Sequence, residues 1–175
     1  GLKLALAAFS DAVSRGSDIY LDIIGDGPDS GLVDALPDAI RRRINLKGWL
    51  DGQAYLNALT GSDALLAPSI SSSTGDRDGI PNAVIESLAA GVPVIATTGG
   101  SIRDVIIDGE TGILIEANDE AGISRQLADA LAVFNPTDSR WESIRRAARE
   151  RVRREFHSGA VSSRMMDEWR QITSK

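Results

Sequence analysis

The sequence predicts an α/β domain built on a doubly wound parallel sheet, and three observations carry that expectation. Short, mostly apolar segments alternate with helical patterns along most of the chain, as they do where buried parallel strands are covered by helices. Glycine-containing turns, Gly25-Asp26-Gly27-Pro28 and Thr97-Thr98-Gly99-Gly100-Ser101, stand where a strand gives way to a helix. With 42% apolar residues in 175, there is material for one sizeable core.

Taken in order, helical spacing is expected over 2–15, 30–43, 53–60, 81–90 and 119–134, and strands over 19–24, 44–47, 64–67, 92–96 and 112–115. A short helical segment over 102–106 follows the glycine pair Gly99-Gly100. Two closing helices, over 138–156 and 160–173, have no strand between them. The chain opens directly on a helix, whereas a doubly wound sheet ordinarily begins with a strand whose following loop meets a phosphate. The expectation is therefore a fragment of a longer protein that lacks its first strand.

Composition removes several function classes. There is no cysteine and one histidine, His157, which excludes disulfides and thiolate chemistry and leaves little for a transition metal or a Ser-His-Asp triad. No apolar run reaches about 18 residues, and Gly1-Leu2-Lys3-Leu4 lacks the organisation of a signal peptide. A cytoplasmic location is expected. The net charge of -6 is uneven, with 9 basic and 20 acidic residues over 1–139 against 10 basic and 5 acidic over 140–175. An acidic body argues against nucleic acid as a partner.

The most informative stretch is Asp78-Gly79-Ile80-Pro81-Asn82, followed by Ala83-Val84-Ile85-Glu86. Gly79 permits a tight turn, Pro81 suits a first helical turn, and the unpaired amides at the helix start face the loop. One carboxylate on the loop and another two turns into the helix can grip a polyhydroxylated or anionic ligand from two sides. Taken singly, Asp78 reads as a turn former and Glu86 as a solvated helix residue; the combination with Gly99-Gly100 favours a polyol and phosphate site. The segment 70–77 before it is either a substrate-facing loop or a solvated linker.

Gly25-Asp26-Gly27-Pro28 resembles a dinucleotide fingerprint whose third glycine position holds Ser30. Pro28 also removes an amide, so a plain strand-to-helix turn is preferred to a pyrophosphate cradle. In the late helix, Trp141, Ile144, Ala148 and Val152 form one apolar stripe, and Arg146–Glu150 and Arg151–Glu155 are spaced to pair on a solvated face. Trp141, Phe156 and Trp169 are expected to pack, and His157, beside Ser158-Gly159, to end a helix.

These pieces in this order resemble the retaining glycosyltransferases of the group 1 (family 4) type, whose architecture is the two-domain GT-B fold with Rossmann-like halves. The resemblance runs from Ile23-Ile24-Gly25-Asp26-Gly27-Pro28 through Leu46-Lys47-Gly48-Trp49-Leu50 and Ala67-Pro68-Ser69. It continues over the stretch from Asp78 to Ala96, then Gly99-Gly100 and Asp108-Gly109-Glu110-Thr111-Gly112-Ile113-Leu114. It implies a C-terminal, nucleotide-sugar-binding domain over 1–156, with 157–175 a helix that packs toward an absent, acceptor-binding N-terminal domain.

The implied donor-binding residues are Gly79, Ile80, Pro81, Asn82, Glu86, Gly99 and Gly100, with Glu86 on the ribose hydroxyls. Asp78 takes the catalytic position near the transferred sugar. There the family has glutamate, and aspartate is shorter by one methylene. Ser101-Ile102-Arg103-Asp104 also departs from the family's isoleucine-proline-glutamate run. The family's diphosphate-neutralising arginine and lysine lie on a segment preceding residue 1, and Lys3 is not a safe substitute. The resemblance implies no cofactor and no metal, with a nucleoside diphosphate sugar as substrate and surface polysaccharide or glycolipid synthesis as context. It leaves open a non-catalytic nucleotide-sugar-binding module, or another GT-B enzyme such as an epimerase or phosphorylase. The arginine-rich tail is expected to contact the missing domain or the inner membrane face.

Overall fold

A computed structural model describes residues 1–69, 80–99, 101–117 and 119–157, together with 159 and 166. Helix α1 (Leu2–Ser14) leads to β1 (Leu21–Ile24), a 3-10 turn over Pro28–Val33, the single helical turn α2 (Asp38–Arg41) and β2 (Ile44–Gly48). Then come α3 (Gly52–Thr60), β3 (Leu65–Ala67), α4 (Asn82–Ala90), β4 (Val94–Thr97) and a 3-10 turn over Ile102–Asp104. The order closes with β5 (Ile113–Ile115), α5 (Glu120–Ala132) and α6 (Ser139–Glu155).

Each of the five expected strands forms, and every pairing is parallel, in two groups: β1 with β2, and β3–β4–β5 with β4 central. No ladder joins the groups among the described residues. Alternation along β4 explains the layers, because successive side chains of a strand point to opposite faces. Val94 and Ala96 pack with Val84 and Leu88 of α4 and with Ala148 and Val152 of α6. Ile95 packs on the other face with Ala8 of α1, Leu127 and Ala128 of α5, and Trp141 and Ile144 of α6.

Helix α1 connects the two strand groups. Ala8 belongs to the core around Ile95, whereas Leu6 and Phe9 pack with Val33, Ile40 and Ile44 beneath β1 and β2. The anticipated stripe of α6 is buried at all four positions, Trp141, Ile144, Ala148 and Val152. Trp141 also meets Phe134 in a tilted ring pair with centroids 4.7 Å apart. Phe156 packs against the core as expected, and Trp169 lies outside the described residues.

Three local expectations change. One helix over 30–43 is replaced by a 3-10 turn and a short helix, because Pro37 sits at the N-cap of α2 with φ −54 and ψ 144 and proline disfavours helical geometry in the residue before it. Pro81, expected inside the first turn of α4, is likewise its N-cap. On α6, Arg151 and Glu155 pair at 3.2 Å as anticipated, but Glu150 takes Arg153 at 2.9 Å rather than Arg146. The helix expected over 160–173 falls outside the described residues except at Met166. Helix α6 ends at Glu155, and the His157 Nδ1 accepts from the Gly159 amide at 3.1 Å just beyond it.

Two chain reversals explain parts of the motif pattern. Gly91 ends α4 with φ +76, a left-handed value that glycine adopts without penalty. The Val92 amide returns to the Ser87 carbonyl at 2.8 Å, closing the turn. Before β5, the Asp108 carboxylate accepts from the Leu114 amide and the buried Thr111 hydroxyl accepts from the Ile107 amide, each at 2.8 Å. The run Asp108 to Gly112 therefore serves as a tight entry into β5.

Candidate functional site

In parallel sheets the loops that follow the strands converge on one edge, and here those loops are tied to one another. After β1, the Asp26 carboxylate accepts from the Trp49 amide at 3.1 Å, and the Gly25 amide donates to the Gly48 carbonyl at 2.8 Å. The Gly25–Pro28 turn is thus a structural junction between β1 and β2. After β3 and β4, the Thr97 hydroxyl donates to the Ser69 carbonyl. Gly1, at the start of α1, lies against Pro68, where a Cβ would collide with the Pro68 carbonyl.

Helix α4 begins at this edge. Ile80 packs against the core behind the helix, Pro81 holds the N-cap with φ −59 and ψ 129, and Asn82 is exposed at the first helical position. Among the described residues no side chain caps the helix; the Val84 amide turns back to the Pro81 carbonyl at 2.9 Å, while the Asn82 and Ala83 amides and the positive end of the peptide dipoles face the edge. Glu86 lies one turn beyond Asn82 on the same face and is exposed. Helical side chains lean toward the N-terminus, which carries the Glu86 carboxylate toward those open amides. Gly99 follows β4 at the same edge, half-buried. Asp78, Gly79 and Gly100 lie outside the described residues.

A residue that motif reading passed over holds Glu86 in place. The Tyr55 hydroxyl, on α3, donates to Glu86 Oε2 at 2.8 Å. Burial first, then the hydrogen bond to Glu86 and its charge, push the Tyr55 phenol up to about 12, so it remains a neutral donor at physiological pH. Its only advance signal was its place at the fourth position of a helix that starts at the same edge. Trp49, which follows β2 at this edge and binds Asp26 through its backbone amide, is 72% exposed.

The departure at Ser101-Ile102-Arg103-Asp104 has a local partner. Arg103 pairs with Glu116, just after β5, at 2.5 Å, and the guanidinium holds the Glu116 carboxyl below its ordinary value. The two line a polar recess of about 600 Å³ with Thr98, Asp119, Arg125 and Gln126. A larger groove, about 890 Å³, runs along α6 beside Gly109 and Glu110, before β5 and so at the opposite edge of the sheet. No group of three or more His, Cys, Asp or Glu positioned for a metal occurs among the described residues. Among them, no helix is long and apolar enough to cross a membrane.

Comparison with known proteins places these features. The family described as "Glycosyl transferases group 1" matches residues 1–132. A phosphatidyl-myo-inositol mannosyltransferase of Mycobacterium leprae is 31% identical over 166 residues, covering 95% of this chain and 41% of its own length. A putative colanic acid biosynthesis glycosyltransferase, WcaL of Salmonella typhimurium, is 28% identical over 167 residues, covering 94% and 40%. The chain thus spans about two fifths of the length of these relatives.

Among solved structures, the pneumococcal O-GlcNAc transferase GtfA in complex with UDP and GlcNAc superimposes with a TM-score of 0.71 at 18% identity. It covers 99% of this chain and 32% of its own. Sucrose-phosphate synthase from Thermosynechococcus elongatus gives 0.70 at 22% identity, covering 99% and 43%. The matched span takes in all five parallel strands, α4 and its Glu86, and the chain belongs to the group 1 glycosyltransferases, with their GT-B fold.

Proposed function

We propose that this chain is the C-terminal, nucleotide-sugar-binding part of a retaining glycosyltransferase that moves a sugar from a nucleoside diphosphate sugar to a hydroxyl acceptor. The observation that carries this reading is the joint placement of the exposed Glu86 carboxylate and the start of α4 at one edge of the sheet. A carboxylate accepts from two neighbouring hydroxyls at once, which suits the ribose. The amides of the first turn suit the diphosphate oxygens, and stabilise the charge that grows on them as the glycosidic bond breaks. Asn82 and Gly99 complete the polar surface around the donor, and Ile80 and Pro81 fix the loop that carries it.

In this mechanism the leaving group is neutralised without a metal, by the amides at the start of α4 in this chain and by basic side chains that the family carries ahead of the segment matching residue 1. Asp78 orients the transferred sugar from the loop ahead of α4, with Gly79 and Gly100 offering backbone amides to its hydroxyls and phosphates. The acceptor is held by a separate N-terminal domain, and its class, a polysaccharide or a glycolipid, follows the names of the relatives. The aspartate at 78 favours one second reading, a module that binds the donor without turnover; donor binding by a full-length protein that releases no nucleotide with any acceptor would establish it.

Calorimetry with UDP, GDP and ADP on the wild type and Glu86→Ala tests the primary reading. At least one nucleotide should bind, and Glu86→Ala should weaken it about 10- to 100-fold, as expected when a charged acceptor of hydroxyl bonds is lost. Equal affinity for the two proteins would remove the ribose assignment.

A further inference from the structure

Resting on the nucleotide reading above, we infer that Tyr55 is a positioning residue for Glu86, setting the orientation of the carboxylate that receives the ribose and thereby the preference for a ribonucleotide over its deoxy counterparts. Glu86 is exposed on α4, and a free glutamate there would sweep through many rotamers. The Tyr55 hydroxyl occupies Oε2 at 2.8 Å from the neighbouring helix α3. A tyrosine ring has two rotatable bonds and is half-buried here, so the donor it offers is fixed in direction. The bond leaves Oε1, and the second lone pair of Oε2, for two hydroxyls approaching from the start of α4.

Holding the carboxylate before the ligand arrives moves its ordering cost from binding into folding, which raises affinity without a new ligand contact. It also sharpens discrimination, because a carboxylate already aimed at a hydroxyl is left unpaired when that hydroxyl is missing. Phenol ionisation does not disturb the arrangement near neutral pH, since Tyr55 holds its proton well into the alkaline range.

The test is calorimetry of whichever of UDP, GDP and ADP binds tightest, together with its 2′,3′-dideoxy analogue, on wild type, Tyr55→Phe, Glu86→Ala and the double variant. Phenylalanine keeps the ring and its packing, and the dideoxy analogue reports directly on whether the site is intact. Tyr55→Phe should lose about three- to tenfold in affinity for the ribonucleotide and nothing for the analogue, and should lose nothing further once Glu86 is alanine. An unchanged ribonucleotide affinity, or an equal loss for both ligands, overturns the positioning role. If Glu86→Ala weakens the ribonucleotide while Tyr55→Phe does not, the inference falls and the ribose assignment stands. If no nucleotide binds the wild type, or Glu86→Ala has no effect, both fall together.

Discussion

Replacing Gly91 by alanine should destabilise the protein by about 1–3 kcal/mol, through two separable causes. Gly91 ends α4 at φ +76 and ψ 27, and a side chain in the left-handed region costs about 1–2 kcal/mol. The added Cβ would also overlap the Arg149 guanidinium of α6. That side chain is flexible and half-exposed and can withdraw, giving up its 4.0 Å approach to Glu142, a contact worth about 0–1 kcal/mol at an exposed site. Urea unfolding followed by circular dichroism measures the loss as a fall in midpoint at constant slope. Arg149→Ala separates the parts: in that background Gly91→Ala should cost only the backbone share, about 1–2 kcal/mol, leaving a coupling of about 1 kcal/mol. A loss below about 0.5 kcal/mol for Gly91→Ala alone, the range of an ordinary surface change, would refute the left-handed assignment. Equal losses in both backgrounds would refute the contact with Arg149.

Tyr55 ties stability to alkaline pH. Its folded value of about 12 stands above the ordinary 10, so the contribution is fully present below pH 10 and disappears as pH rises through 12. The amount is about 1 kcal/mol after allowing for solvent around the exposed carboxylate. Tyr55→Phe should flatten this part of the stability profile, and a profile identical to that of wild type between pH 10 and 12 would contradict the burial and the bond to Glu86 that together raise the phenol. Phe9, 1% exposed in the core under β1 and β2, should cost about 3–5 kcal/mol as Phe9→Ala; thermal unfolding indistinguishable from wild type would mean that α1 does not anchor that sheet.

What the sequence could show was set by periodicity and what it could not by tertiary approach. The strands were legible because buried parallel strands are short apolar runs, and the stripe from Trp141 to Val152 because a helix with one covered face repeats its apolar residues. The region 30–43 misled for an identifiable reason: its apolar spacing looked helical while Pro37 imposed a break that only backbone geometry weighs correctly. Within the site, Glu86 was visible from its distance along α4 to the loop before it. Tyr55 was not, since a hydrogen bond between residues 31 positions apart depends on how α3 meets α4. The Asp108 to Gly112 motif belongs to the same lesson, its residues serving the entry into β5 through backbone bonds that no single position announces.

The seam between the two strand groups gives the Tyr55 contact a further meaning. Helix α3 follows β2 and helix α4 follows β3, so the bond from Tyr55 to Glu86 crosses from one group to the other, as α1 does with its two buried faces. Breathing of the molecule along this seam would break that bond first, because one hydrogen bond at an exposed carboxylate yields sooner than the packed flank of α1. Slow amide exchange in β4 with faster exchange in β1 and β2 would reveal such motion, and a ligand that clamps Glu86 would slow the exchange of both groups together.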